Sequence, residues 1–202
     1  MIRLVIFDIS NVCYNLEEPS YLKAFAARHD LDYRELDKQY QALLVLAEMD
    51  EFGGKEVWRR VLEHFGIEED IDGIIEGMIA LKQEMPETLA LVKALRAKVK
   101  TAYFTNYNRD YWAVIAERFD LEPYFDWGLV SYQAKTRKPA PEGFRIILEH
   151  FGVKPEEVVF TDDSAANLVE AAKLGINTIH FTGVEKLKEE LAKLGVSDAT
   201  TP

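Results

Sequence analysis

The sequence predicts an α/β fold: a doubly wound parallel sheet carrying an inserted α-helical cap. Five short apolar segments suited to strands are spread along the 202 residues, with amphipathic helical patterns in the intervals. The stretch from about Asn15 to Met85 differs, because it offers apolar helical faces and no convincing strand. It is therefore expected to be a helical insertion after the first strand, with residues 1–14 and 86–202 forming the core and residues 15–85 the cap.

The first strand is Leu4-Val5-Ile6-Phe7, a continuous apolar run with β-branched members, as a strand buried on both faces requires. Within the insertion, Tyr21, Leu22, Phe25 and Ala26 mark one helical face and Val57, Trp58, Val61 and Leu62 another. Helix is then expected over Glu87 to Lys98, strand at Ala102-Tyr103-Phe104, helix over Arg109 to Phe119 and strand at Gly128-Leu129-Val130. Helix from Glu142 to Phe151, strand at Val158-Val159-Phe160, helix from Ala165 to Leu174 and strand at Thr178-Ile179-His180-Phe181 complete the alternation. Leu62 to Ile67 and Leu148 to Val153 are nearly the same hexapeptide. Both are read as helix ends with Gly66 and Gly152 in the left-handed cap position, since no longer period supports a duplication.

Composition restricts the function. A chain of this length buries roughly 70% of its unfolded surface, enough for a core without staples. With 24 basic and 35 acidic residues the net charge is −11, which argues against nucleic acid or an anionic membrane as partner. An anionic substrate must be met by local donors or by a metal. Cys13 is the single cysteine, so an intrachain disulfide is excluded. The absence of a basic segment followed by an apolar one at the start leads us to expect a cytoplasmic protein. No apolar run approaches the roughly 20 residues of a membrane span. Oligomeric state is not legible.

Strand ends carry the chemistry, because ligands of open parallel sheets bind beyond the carboxyl ends of the strands. Here those ends read Asp8, Thr105-Asn106, Ser131, Asp162-Asp163 and Thr182. One strand-terminal aspartate is an ordinary turn residue. Asp8 together with the Asp162-Asp163 pair is different, since apposed carboxylates repel and persist mainly where a cation neutralises them. His29, His64, His150 and His180 show no ligand spacing, which argues against zinc. Cys13 is expected to be a packed apolar residue.

Four segments, VIFDISNV at 5–12, YFTN at 103–106, RKP at 137–139 and VVFTDDSAANLVEAAKLGI at 158–176, resemble the four motifs of the haloacid dehalogenase (HAD) superfamily in order and spacing. The long helical stretch between the first two resembles the members with a helical cap on a Rossmann-like core. Among these, the sequence looks most like the phosphatases related to the amino-terminal domain of soluble epoxide hydrolase, some of which act on sugar phosphates. The resemblance implies Asp8 as the nucleophile that accepts a phosphoryl group. It implies Mg2+ held by Asp8, the backbone carbonyl of Ser10 and Asp163, with Asp162 nearby. Thr105, Asn106 and the helix start that follows them would bind phosphate oxygens. Lys138, preceding Pro139, would offset charge on phosphate and nucleophile, with Lys135 and Arg137 read as solvated surface charges. Asn167 would orient the loop bearing the acidic pair or else stand on the helix surface.

One position departs from the superfamily pattern. Its phosphatases usually carry a second aspartate two residues after the nucleophile, acting as acid and then base, and here that position is Ser10. Such assistance is worth roughly 100-fold to 10,000-fold. The expected activity is a magnesium-dependent phosphatase for a small phosphorylated metabolite, working through an aspartyl-phosphate. The alternatives are a 2-haloacid dehalogenase, or a weakly active regulatory or binding protein. Leaving-group contacts are sought at Tyr14, residues Glu48 to Lys55, and Tyr107 to Arg109, with Gly53-Gly54 either a mobile loop or a helix cap.

Overall fold

The computed structural model describes residues 1–15 and 18–197. The elements run β1 (Leu4–Phe7), α1 (Glu18–Arg28), α2 (Tyr33–Glu48), α3 (Gly54–Phe65), α4 (Ile71–Ala80), α5 (Pro86–Arg96), β2 (Lys100–Thr105), α6 (Arg109–Arg118) and β3 (Trp127–Val130). They continue with α7 (Ser131–Ala134), α8 (Pro141–Phe151), β4 (Val158–Asp162), α9 (Ala165–Lys173), β5 (Asn177–His180) and α10 (Val184–Lys193).

The five strands form one parallel sheet in the order β3-β2-β1-β4-β5. β1 lies at the centre, with Leu4 paired to Lys100 on one side and to Val158 on the other. Its side chains alternate between two cores, which is why the run is apolar throughout. Val5 and Phe7 enter the core shared with α5, α6 and α10, whereas Leu4 and Ile6 enter the smaller core under α8 and α9. All five expected strands are present. β2 extends beyond its apolar triplet at both ends, and β5 begins one residue earlier than expected. α10 was not anticipated: Val184, Leu187 and Leu191 are its buried residues in an otherwise charged segment.

α1–α4 fill the insertion, and their apolar faces meet around Trp58. Its ring lies 5.1 Å from Phe25, 5.3 Å from Tyr40 and 6.3 Å from Tyr21, centroid to centroid. The repeated hexapeptides end helices as expected. Gly66 and Gly152 have φ of 64° and 59°, and the Ile67 and Val153 N–H groups reach back to the carbonyls of Leu62 and Leu148 at 2.9 and 3.2 Å.

Gly53-Gly54 starts α3 against the core helix α6, so the helix-start reading of this pair holds. A Cβ on Gly54 would lie 2.5 Å from Asn108 Oδ1 and 2.6 Å from the Tyr111 ring, and the Lys55 N–H donates to Asp110 at 2.8 Å. Glycine permits this close approach of cap and core. Gly54→Ala is expected to lower stability by about 1–3 kcal/mol, read as a lower urea midpoint with unchanged slope. An unshifted midpoint would show that the contact yields without strain. Among the described residues no helix is long and apolar enough to cross a membrane.

Candidate active site

Asp8 is the first residue beyond the central strand. Its N–H donates to the Thr161 carbonyl at 2.9 Å, continuing the ladder to β4, while its Oδ1 accepts from the Ile9 N–H at 2.6 Å. The same oxygen lies 2.8 Å from Lys138 Nζ. Lys138 comes from the loop between α7 and α8, next to a cis peptide to Pro139, and is 1% exposed. Its ammonium also reaches Asp162 Oδ2 at 2.5 Å. One buried cation therefore bridges carboxylates at the ends of two adjacent strands, a geometry worth far more inside the protein than on its surface.

The remaining contacts divide the acidic pair. Asp162 has no exposure and accepts from the Ser164 N–H at 2.8 Å and the Asn167 amide at 3.0 and 3.1 Å, besides Lys138. Both of its oxygens are committed to protein donors. Asp163 is partly exposed and faces the cavity, held by the Asn11 amide at 2.9 Å, and Asn11 sits in the left-handed region at φ 56°. Asn167 thus orients Asp162 directly. Asn106 holds the lysine: its Oδ1 accepts from the Lys138 N–H at 2.9 Å and its amide donates to the Lys138 carbonyl at 3.2 Å. Its side chain positions Lys138, leaving backbone N–H as what it can offer an anion. Thr105 is buried at the end of β2 and lines the cavity.

Burial pushes the Asp8 carboxyl from its ordinary value up to about 6, opposed by Lys138 and reinforced by the neighbouring Asp162 charge. Burial alone would depress the Lys138 ammonium, but the two carboxylates outweigh it and hold it above its ordinary value. Oxygens of Asp8, Asp162 and Asp163 all lie within 4.8 Å of one another. Three carboxylates against one ammonium leave an excess of negative charge, and hard oxygen donors suit a small divalent cation. Because Asp162 is already occupied, Asp8 and Asp163 are the side chains with the freedom to hold one.

A cavity of about 330 Å3 opens above these groups. Ser10, Asn11, Thr105, Asn106 and Tyr107 line it from the sheet side, and Glu18, Gln41, Leu44 and Glu48 from α1 and α2. Of the expected leaving-group contacts, Glu48 and Tyr107 line it. Tyr14 does not; it is buried with its ring 4.4 Å from Phe119. Arg137 is no solvated surface charge. It pairs with Glu48 at 2.7 Å, tying the loop of Lys138 to α2, and burial still pushes the Glu48 carboxyl up to about 7 against the pull of Arg137. Lys135 caps α7 with φ 50° and lies outside the cavity lining. Arg109 pairs with Asp50 at 2.8 Å, a second tie between α6 and the insertion. Cys13 is fully buried and burial raises its thiol, as a packed residue requires. Glu18, Gln41 and Tyr111 were not singled out from sequence. Glu18 accepts from Tyr40 at 3.2 Å and Gln41 at 3.0 Å, and burial raises its carboxyl.

Residues 2–175, most of the chain, match the haloacid dehalogenase-like hydrolase family. The chain belongs to that family. It is accordingly an enzyme of the hydrolase class, and its sheet with helical cap is the HAD fold. It is 30% identical over 129 residues to flavin mononucleotide hydrolase 1 of Arabidopsis thaliana, covering 63% of this chain but only 52% of that protein. The phosphorylated carbohydrates phosphatase of Thermotoga maritima is 29% identical over 188 residues, 87% of this chain and 83% of the relative. Mammalian bifunctional epoxide hydrolases match over shorter stretches, in keeping with the resemblance drawn from the motifs. Among solved structures, a HAD family enzyme of Bacteroides thetaiotaomicron superposes with a TM-score of 0.76 at 25% identity, covering 88% of this chain and 92% of that one.

Proposed function

We propose that this HAD hydrolase is a magnesium-dependent phosphatase that hydrolyses small phosphate monoesters, sugar phosphates among them, through a phosphoryl group carried on Asp8. The observation that supports it best is the buried Lys138 ammonium shared between Asp8 and Asp162, beside an Asp163 that faces the cavity. Asp8 attacks phosphorus, a P–O bond forms at its carboxylate as the ester P–O bond breaks, and water then releases inorganic phosphate and restores the carboxylate. Lys138 holds Asp8 in position and offsets charge on the phosphoryl oxygens. Thr105 and the start of α6 take phosphate oxygens. Asp8, Asp163 and the Ser10 carbonyl would hold Mg2+, with Asp162 fixing the lysine. When bound, the cation supplies charge neutralisation between an anionic nucleophile and an anionic ester.

In this proposal residues 1–14 and 86–202 form the catalytic core and residues 15–85 the cap, of which 16–17 and 198–202 lie outside the described residues. The cap residues Glu18, Gln41, Leu44 and Glu48 meet the leaving group. The named activity of the Thermotoga maritima relative, on phosphorylated carbohydrates, supports a substrate of this kind. The cluster of three carboxylates weighs against the dehalogenase alternative, in which an anionic haloacid would approach without a metal.

Phosphate release from a panel of esters, with and without magnesium, tests the proposal. EDTA is expected to stop hydrolysis and magnesium to restore it. Calcium is expected to inhibit, since its longer and more variable coordination allows unproductive carboxylate geometry. Full phosphate release in EDTA would overturn the magnesium requirement, and no release from any ester would return attention to the dehalogenase chemistry.

A further inference from the structure

We propose that Tyr107 is a catalytic residue whose hydroxyl donates a hydrogen bond to the ester oxygen of the leaving group. The inference rests on the phosphatase reading above and assigns a group that reading leaves without a role.

Departure of an alkoxide from phosphorus is favoured by a donor at the bridging oxygen. Most polar side chains lining the cavity are otherwise engaged. Ionised carboxylates only accept, and the two cap carboxyls that burial raises are already taken, Glu18 by Tyr40 and Gln41, and Glu48 by Arg137. The Lys138 ammonium lies between Asp8 and Asp162, and the amides of Asn11, Asn106 and Asn167 serve Asp163, Lys138 and Asp162. Among the lining hydroxyls, Tyr111 is paired with the Tyr40 hydroxyl at 3.1 Å on the cap side, and Thr105 lines the cavity at the end of β2. Tyr107 is placed differently. Its hydroxyl lies 2.6 Å from Ser10 Oγ, two residues along the chain from Asp8, so phenol and serine form one hydroxyl pair beside the nucleophile.

The phenol is held at several points. Its main chain is gripped at both polar groups by one side chain: the Tyr107 N–H donates to Ser131 Oγ at 3.1 Å, and that hydroxyl donates to the Tyr107 carbonyl at 3.1 Å. Ser131, completely buried at the end of β3, is with Thr182 a strand end that no phosphate or metal role absorbs, and its hydroxyl is spent on Tyr107. The ring packs 5.8 Å from that of Trp112, and the largely buried Lys82 ammonium lies 5.5 Å from its centroid. A polar group fixed in place before substrate arrives gives the most stabilisation for the least reorganisation. As the ester P–O bond breaks, its electron pair passes to the leaving oxygen, Tyr107 stabilises that oxygen through its O–H, and the proton that completes the alcohol comes from water. Tyrosine stays protonated throughout.

Tyr107→Phe keeps the ring and removes the donor. On an alkyl phosphate with magnesium, kcat is expected to fall by about 100-fold to 1,000-fold with little change in KM. On p-nitrophenyl phosphate the loss should be about tenfold smaller, because a nitrophenolate departs with little help. Ser131→Ala should steepen the leaving-group dependence in the same direction, and the melting temperature together with aryl ester turnover reports whether either variant is folded. Equal losses on both esters, or none, would overturn the role of Tyr107 while the phosphatase reading stands. Failure of the wild-type protein to hydrolyse either ester would remove both.

Discussion

Asp8→Asn is expected to abolish turnover while leaving the fold in place. The amide is nearly isosteric with the carboxylate, the site is 6% exposed, and the carbonyl oxygen of the new side chain can still accept from the Ile9 N–H and from Lys138. Neither the sheet nor the lysine loses its anchor. Reactivity is lost on two counts, since an amide oxygen is a poor nucleophile and one of the carboxylates available to the cation is gone. Removing the nucleophile of a covalent mechanism costs on the order of 10⁴-fold to 10⁶-fold in kcat. Phosphate release would be measured beside a thermal melt. A variant that turns over at the wild-type rate would sink the covalent mechanism, whereas an unfolded one would show that the anion is needed for structure.

The parts of the site that were legible are those that topology alone brings together. Thr105 and Asp162 end their strands and Asp8 directly follows β1 in one parallel sheet, so reading the strands correctly places the three side by side. The strands in turn were readable because β1 and β4 are flanked on both sides and must be apolar on both faces. Lys138 came through its resemblance to a motif, and the structure brings it to Asp8. What escaped depends on how the insertion packs over the sheet. Glu18 and Gln41 look like the polar face of ordinary helices, and only the approach of α1 and α2 turns that face toward the cavity. The pairing of Glu48 with Arg137 spans 89 residues, and no local pattern marks the two as partners. Asn106 was expected to meet phosphate, yet its side chain is taken by a backbone 32 residues away. α10 escaped for another reason. Val184, Leu187 and Leu191 do keep helical spacing, so the signal was present, but it lies in a mostly charged segment after the last strand and was passed over.

Lys138→Met is expected to remove activity and stability together, which separates it from Asp8→Asn. Methionine approximates the length and flexibility of the lysine stem but carries no charge. Asp8 and Asp162 would then face each other as buried carboxylates without their shared ammonium, the Asp162 oxygens retaining only neutral donors from Ser164 and Asn167. Breaking a buried ion pair by deleting one partner costs about 3–5 kcal/mol, because the charge left behind is uncompensated. Loss of the lysine removes the charge that opposes burial at Asp8, so the Asp8 carboxyl, already above its ordinary value, rises further and the folded variant binds that proton more tightly than the unfolded chain. Its stability therefore improves as pH falls through that raised value and is poorest at alkaline pH. Urea titrations of the variant at pH 5 and pH 8, in metal-free buffer, should show a deficit that shrinks at the lower pH. Adding Asp162→Asn should recover much of the stability by removing one of the stranded charges. Turnover should stay lost, because the ammonium proposed to offset charge at Asp8 and on the phosphoryl oxygens is still absent. A Lys138→Met protein as stable as wild type at pH 8 would mean that water or solvent ions already neutralise the pair, and one that also retained turnover would remove the lysine from the mechanism.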